Sequence, residues 1–314
     1  MNTAPVSTPP GLQGIWPAMM TPLHESLAID HDRFVAHAHA LLAAGCMGLT
    51  PFGTTGEGPS FSVAERQAAV DALVAGGVPA QRILVSASCA SVSDTIALVR
   101  HAQSIGAWGV LLMPPFFFKG VSDEGIFHAY RHVLDATAGG PLRIVLYHIP
   151  QVAAVGLSPA VIARLLALYG SRIVAIKDSA CDRAFSLSLA DRFMPPGSSG
   201  FGVHVGNELD LPALAARGSR GAVSGIANFM PRTVHRLATV PDPALTSGDH
   251  ERVSRLLTWL GSYSLIPALK AVMAAVSDDP VWLRVRPTLA PLDAQGFSAL
   301  RRELAPFGLD FARD

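Results

Sequence analysis

Residues 172–179 read RIVAIKDS, and this stretch decides how the chain folds. Four consecutive apolar residues, 173–176, are typical of a strand buried on both faces of a parallel sheet, and Lys177 stands at its end. A buried ammonium is costly, so burial favours the neutral amine, which is a nucleophile. Lysines in such places form Schiff bases with carbonyl substrates. The octapeptide is also consistent with a strand-end lysine that pairs with Asp178 or reaches solvent.

Short apolar strands alternate with amphipathic helices along the chain, and the lysine strand is the sixth of eight such units. The alternation predicts a parallel sheet with right-handed crossovers, which at eight units closes into a (β/α)8 TIM barrel of the α/β class. A doubly wound open sheet is the alternative, disfavoured because no Gly-x-Gly-x-x-Gly fingerprint follows the first strand. The other predicted strands are residues 15–20, 46–51, 83–87, 109–113, 143–147, 202–205 and 222–226.

The pattern divides the chain into three predicted parts. Residues 1–11 are rich in proline and hydroxyl residues and have neither the positive nor the apolar region of a signal peptide, so we expect a disordered lead. Residues 12–240 hold the barrel. Residues 241–314 show helical patterns only, which predicts a C-terminal helical extension. Its predicted helices cover about 248–260, 263–276 and 298–304.

The composition excludes several classes of partner. Lysine and arginine number 24, aspartate and glutamate also number 24, and half of the residues are hydrophobic. Nucleic acids and anionic membranes select for basic surfaces, so neither is expected as a partner. No apolar run is long enough for a membrane helix, and the three cysteines and the scattered histidines show no zinc-ligand spacing. We therefore expect a soluble, cytoplasmic protein with neither a nucleic acid nor a membrane as its partner.

Two side chains at neighbouring strand ends can act together, because the active site of such a barrel lies at the carboxyl ends of its strands. Lys177 is the only one of three lysines that ends an apolar strand. Tyr147 is the only one of four tyrosines that does so, on the preceding strand. A phenol beside a Schiff-base lysine can move the protons that carbinolamine formation and aldol cleavage require. The alternative for Tyr147 is a rim tyrosine whose hydroxyl bonds to backbone.

A glycine-flanked turn, GTTGE at residues 53–57, follows the second predicted strand. Its backbone N–H groups from Gly53 onward, with the hydroxyls of Thr54 and Thr55, suit a carboxylate, because oriented amides favour anions. Together with the amine and the phenol, the turn predicts a site for a 2-oxo acid such as pyruvate. His148 is either a substrate contact or a turn histidine without a role in binding.

Four motifs stand in order at strand ends: GTTGE at 53–57, YHIP at 147–150, IKDS at 176–179 and GAVSG at 221–225. With these motifs the chain resembles the dihydrodipicolinate synthase and N-acetylneuraminate lyase superfamily of class I aldolases. The resemblance implies that Lys177 forms the Schiff base, that Tyr147 shuttles protons, and that Thr54 and Thr55 hold the carboxylate and pass protons to Tyr147. It also implies that the Gly225 backbone completes the pocket, that the enzyme is a homotetramer built as a pair of dimers, and that it needs no metal or organic cofactor.

Two positions depart from the synthases of that superfamily. They have an arginine two residues after the proline of the 147–150 motif, where this chain has Val152, and a loop tyrosine donated across the dimer interface, where it has phenylalanines 116–118. Valine cannot replace a bidentate arginine contact, so aspartate semialdehyde is not the expected second substrate. At the end of the seventh strand, Asn207 and Glu208 lie where the sugar-acid lyases of the superfamily contact substrate hydroxyls, and Gly206 at the same strand end is a further candidate for substrate binding.

The sequence therefore predicts a Schiff-base lyase acting on pyruvate or a related 2-oxo acid, by aldol cleavage or condensation or by imine-assisted dehydration of a sugar acid. Two alternatives stay open. The first is 4-hydroxy-tetrahydrodipicolinate synthase, which condenses pyruvate with aspartate semialdehyde. The second is a barrel that binds a 2-oxo acid without turnover. The aldehyde or sugar-acid partner, the direction of the reaction and its stereochemistry are not determined by these patterns.

Overall fold

The strands of the chain form parallel sheets, as the alternation predicts. A computed structural model describes residues 11–195, 200–309 and 311, so the predicted lead lies outside the described residues except for Gly11. Strands β2 to β6 form one five-stranded parallel sheet in chain order, and β1 pairs in parallel with β7. The strands of the described part are β1 Gly14–Pro17, β2 Leu84–Ser86, β3 Gly109–Leu112, β4 Arg143–His148, β5 Ile173–Asp178, β6 Gly202–Val205 and β7 Gly221–Ser224.

The second predicted strand, residues 46–51, is reduced to single parallel bridges. Thr50 bridges to Ala18, beyond β1, and Leu49 bridges to Ile83, next to β2. Residues with positive φ, Gly45 (93°) and Phe52 (60°), bound this segment on either side. The bridged segment nevertheless occupies the place of a strand between β1 and β2, and the fold is that of a TIM barrel.

Helices follow the strands around the outside, and three more follow the barrel. The connection after β6 is a 3₁₀ turn followed by a five-residue helix, and a four-residue helix follows β4 directly. The helices of the described part are α1 His31–Ala43, α2 Val63–Ala75, α3 Val92–Ser104, α4 Asp123–Ala136, α5 Pro150–Ala153, α6 Pro159–Tyr169, α7 Arg183–Phe193, α8 Leu211–Ala215, α9 Pro231–Thr239, α10 Ser247–Leu260, α11 Leu265–Ser277 and α12 Ala294–Leu304.

The core has two layers, because successive side chains of a strand point to opposite faces. Val145 and Ala175 belong to the cluster inside the barrel, whereas Leu146 and Ile176 pack outward against the helices. Tyr147 joins the inner cluster. The side chain of Lys177, two residues after Ala175, therefore also points inward.

The C-terminal extension packs its middle helix against the barrel. Eight residues of α11, from Pro267 to Ala274, are buried. Among the described helices, none is long and apolar enough to cross a membrane by itself; the sharply bent pair Pro243–Leu260 and Leu265–Ser277 meets the length and composition requirement only when its members are counted together.

Two buried histidines predict a loss of stability at acid pH. Burial lowers the pKa of His37 and of His204 to about 4. Between that pH and the ordinary value of about 6.5 the unfolded chain binds more protons, so stability is lost as the pH falls through this window. From pH 7.5 to pH 5 each histidine is expected to cost about 2 kcal/mol of unfolding free energy. Urea unfolding at the two pH values measures the loss.

The matched variant is His204→Gln, which cannot titrate in this window. Its loss of unfolding free energy between the two pH values should be smaller than that of the wild type by about 2 kcal/mol. An equal loss in both proteins would contradict the assignment of the effect to His204.

Candidate active site

Lys177 and Tyr147 are direct neighbours across two hydrogen-bonded strands. They are register partners in the β4–β5 ladder, and the Lys177 Nζ lies 4.4 Å from the centroid of the Tyr147 ring. The lysine is 5% exposed. Among the described residues, the Lys177 Nζ has no hydrogen-bond acceptor and no carboxylate within 4.0 Å. The amine is thus buried against an aromatic face and free of the ion pair considered from the sequence.

The glycine-flanked turn brings its two threonines to the same place. Thr54 Oγ1 lies 3.2 Å from the Tyr147 hydroxyl, within hydrogen-bond distance. A Cβ added to Gly225, directly after β7, would lie 3.1 Å from Thr55 Oγ1. The turn is closed by hydrogen bonds of 3.1 Å from the Glu57 N–H to the Thr54 carbonyl and from the Gly58 N–H to the Gly53 carbonyl. The predicted threonines, phenol and Gly225 therefore surround one space.

Gly206 and Glu208 approach the lysine from β6. A Cβ added to Gly206 would lie 2.1 Å from Ser179 Oγ and 2.9 Å from Lys177 Cε, closer than real Cβ contacts, so a larger residue at 206 would displace one or both of these side chains. Glu208 is 6% exposed and accepts a hydrogen bond of 2.6 Å from the Ser224 hydroxyl. Burial raises the pKa of Glu208, while the Ser224 hydroxyl and, more weakly, the Lys177 ammonium oppose the rise. Glu208 is thus a buried carboxyl within electrostatic range of the amine.

His148 does not join this group. It directly follows Tyr147 on β4, so its ring points to the outer face, where Nδ1 accepts a 2.8 Å hydrogen bond from the Leu157 N–H and the ring lies 4.9 Å from that of Phe185. Asp178 has the same orientation and accepts a 2.6 Å hydrogen bond from the Ser186 hydroxyl. This placement favours the turn-histidine interpretation of His148 over the substrate contact.

The two positions that depart from the synthase pattern lie at the surface. Phe117 and Phe118, in the loop between β3 and α4, are 72% and 75% exposed, and Val152, on α5, is 61% exposed. Sequence reasoning missed Lys119, which joins these segments: its Nζ donates to the carbonyls of Phe116 and Ala153. A cation therefore lies one residue from Val152, although no local pattern marked it.

The arrangement offers a primary amine, a phenol–hydroxyl pair and a buried carboxyl around one space at the carboxyl ends of the strands. An amine with a proton carrier beside it can condense with a carbonyl group. No cluster of three or more histidine, cysteine or acidic residues in the described part of the chain could hold a metal ion.

Comparison with known proteins agrees with this geometry. The model of the dihydrodipicolinate synthetase family matches residues 11–305. The chain belongs to this family. An uncharacterized DapA-like lyase from Chloroflexus aurantiacus is 32% identical over 294 residues, covering 92% of this chain and 95% of the relative.

Solved structures of the dihydrodipicolinate synthetase family superpose closely on this chain. The crystal structure of dihydrodipicolinate synthase from Agrobacterium tumefaciens has a TM-score of 0.87 at 29% identity and covers 94% of this chain and 99% of its own. YagE, a prophage protein of the dihydrodipicolinic acid synthase family from E. coli K12, solved with pyruvate, has a TM-score of 0.84 at 25% identity and covers 95% and 99%. The chain is an enzyme of the family's aldolase and lyase type.

The close approach at Gly206 gives a sharp prediction. Gly206→Ala brings its new methyl group against both Ser179 Oγ and Lys177 Cε, and a displacement of about 1 Å at a reacting group can cost about 10²-fold in rate. We expect the rate of borohydride-trapped adduct formation with pyruvate to fall about 10²-fold while the melting temperature changes little. The control is Gly248→Ala, since an added Cβ there meets nothing within 4 Å. Unchanged trapping in the Gly206 variant would contradict the prediction.

Proposed function

We propose that this protein is a class I lyase whose Lys177 forms a Schiff base with pyruvate or a related 2-oxo acid and which cleaves or forms an aldol bond. The observation that carries the proposal is the placement of the unpaired Lys177 Nζ 4.4 Å from the Tyr147 ring, with the Tyr147 hydroxyl 3.2 Å from Thr54 Oγ1. An amine without an ion-pair partner beside a phenol is available as a nucleophile toward a carbonyl carbon. The relative crystallised with pyruvate supports the choice of substrate.

The carboxylate of the substrate would lie on the turn of Thr54 and Thr55. Lys177 Nζ attacks the 2-carbonyl carbon, the carbonyl oxygen takes a proton to give a carbinolamine, and water leaves to give the protonated imine. Tyr147 is placed to donate and accept these protons, with Thr54 beside it. In cleavage, the C3–C4 bond breaks toward the imine, the C4 hydroxyl loses its proton and an aldehyde leaves; the enamine then takes a proton at C3 and water releases the 2-oxo acid.

Glu208 supports a hydroxylated partner for the 2-oxo acid. It is buried, hydrogen-bonded to Ser224 and within electrostatic range of Lys177. Its carboxylate can therefore accept a hydrogen bond from a substrate hydroxyl beyond the imine carbon, and its protonated form can donate one. The same imine would permit loss of water from a sugar acid. We place Gly206 beside the lysine and Gly53 in the carboxylate turn, whereas His148 stays outside this pocket.

Borohydride trapping tests the proposal. The wild-type protein, incubated with pyruvate and reduced, should gain one reduced adduct that peptide mapping locates at Lys177. A panel of 2-oxo acids and aldehydes is then screened for turnover by mass spectrometry. Failure of pyruvate and every other 2-oxo acid to give an adduct would overturn the proposal.

Two further outcomes separate the alternatives. Turnover of pyruvate with aspartate semialdehyde at a rate comparable with the best pair would establish the synthase. Lys119 would then have to bind the carboxylate of aspartate semialdehyde in place of the absent arginine. An adduct at Lys177 with no turnover of any pair would establish a binding protein for 2-oxo acids.

The exposed phenylalanines fit an oligomer. Phe117 and Phe118 contact each other, with ring centroids 5.2 Å apart, and both are largely exposed in the single chain. Exposed apolar patches of this kind mark interaction sites, and we propose that a second copy covers this one within a homotetramer. A cytoplasmic location and independence from cofactors stay predictions.

A further inference from the structure

The C-terminal extension reaches the active-site turn through a buried ion pair. The Lys270 Nζ, on α11, donates to Glu57 Oε1 at 2.7 Å and to the Thr21 carbonyl at 2.9 Å. Both charged side chains are 0% exposed. Burial of two charges needs such complete pairing, because each ion loses its hydration.

Glu57 is the last residue of the turn that carries Thr54 and Thr55. Its second carboxylate oxygen accepts a 2.8 Å hydrogen bond from the Arg286 N–H, and its backbone is left-handed, with φ 56°. A second fixing bond runs from the Thr21 hydroxyl to the Gly56 carbonyl at 2.8 Å. Two donors of the C-terminal extension, the Lys270 Nζ and the Arg286 N–H, therefore bind the Glu57 carboxylate. Thr21, in the segment after β1, binds the turn at a third point.

The Arg286 side chain makes further contacts between the C-terminal extension and the barrel. Its guanidinium donates to the carbonyls of Leu27 and Ser60 at 3.0 Å or less, and its Cζ lies 4.3 Å from the centroid of the Phe61 ring. The segment around residue 286 thus holds both the turn and the chain that follows it.

We propose that Lys270 and Arg286 are positioning residues for the proposed carboxylate-binding turn and that Glu57 is the residue through which they act. The inference rests on the proposed function, since it gives the two threonines their role. Removal of one partner of a buried pair leaves an uncompensated charge, which is strongly destabilising unless the turn that carries it moves to expose it. At the turn, such movement displaces Thr54 Oγ1 from the Tyr147 hydroxyl, 3.2 Å away, and Thr55 from Gly225.

The experiment measures two quantities for the wild type and for each variant: the pyruvate concentration that gives half-maximal adduct trapping, and the maximal trapping rate. The variants are Lys270→Met, which removes both donor bonds, and Glu57→Gln. The glutamine amide must turn its N–H₂ toward either Lys270 Nζ or the Arg286 N–H, both of which are donors, so one bond is lost. Leu300→Ala, at a fully buried position on α12, is the matched control for general loss of stability.

We expect both pair variants to raise the half-saturating pyruvate concentration at least tenfold. We expect Leu300→Ala, at a comparable loss of melting temperature, to leave it within twofold. The double variant Glu57→Gln/Lys270→Met should be no worse than the poorer single variant, because the two residues act as a unit.

A pair variant that melts earlier but keeps half-saturation within twofold would overturn the inference and leave the ion pair a purely structural one. So would an equal rise in the Leu300 variant. Failure of the wild-type protein to trap pyruvate or any other 2-oxo acid would instead overturn the proposed function, so the two failures are distinguishable.

Discussion

Lys177→Ala is expected to abolish both adduct formation and turnover, with a loss of turnover of about 10⁴-fold or more, because no other amine in the described chain lies beside the Tyr147 phenol. Lys177→Arg should be equally inactive, because a guanidinium offers no amine able to form an imine. Steady-state turnover and borohydride trapping with labelled pyruvate measure the effect.

The control for labelling is Lys119→Arg, which retains a donor for the carbonyls that Lys119 holds. Adduct in this variant should be equal to that of the wild type. Normal labelling or turnover in Lys177→Ala would exclude the proposed chemistry, since the covalent step would then proceed without its nucleophile.

Tyr147→Phe is expected to lower turnover by about 10²- to 10⁴-fold, the range for loss of a positioned proton carrier. The ring that packs against the Lys177 Nζ is retained, so the fall reports on the hydroxyl alone. Pre-steady-state trapping should show that imine formation and C–C cleavage slow while pyruvate still binds.

Tyr130→Phe is the matched control for this change. Tyr130 is also buried, and its hydroxyl donates to the Leu112 carbonyl at 2.9 Å on the outer side of the barrel. It should lose some stability and no activity. Turnover of Tyr147→Phe within threefold of the wild type would show that protons reach the imine by another route.

The sequence predicted the amine and the phenol because both follow from regular structure. Lys177 and Tyr147 end consecutive strands of a parallel barrel, so alternation and order in the sheet bring them together. The same rule would have placed His148 on the outer face, since it directly follows Tyr147.

Other features could not be predicted from local pattern. Glu57 and Lys270 are 213 residues apart, and a buried polar pair at that separation leaves no periodicity in either segment. The second strand was predicted too long because its pairing depends on the segments beside it, and only Leu49 and Thr50 form bridges to them. Lys119 lies in a loop, and its hydrogen bond to the Ala153 carbonyl joins two segments 34 residues apart, which no local pattern shows.

The pairing of β4 with β5 has a consequence for how this protein could change its chemistry. The Lys177 amine and the Tyr147 phenol lie on one pair of hydrogen-bonded strands. Phe117, Phe118 and Val152 lie in connections outside these strands. Selection can therefore alter which aldehyde is accepted while the reacting atoms keep their spacing. Libraries confined to residues 113–122 and 150–157 should yield new partner preferences far more often than libraries in the strands, which makes these two connections the place to begin laboratory evolution.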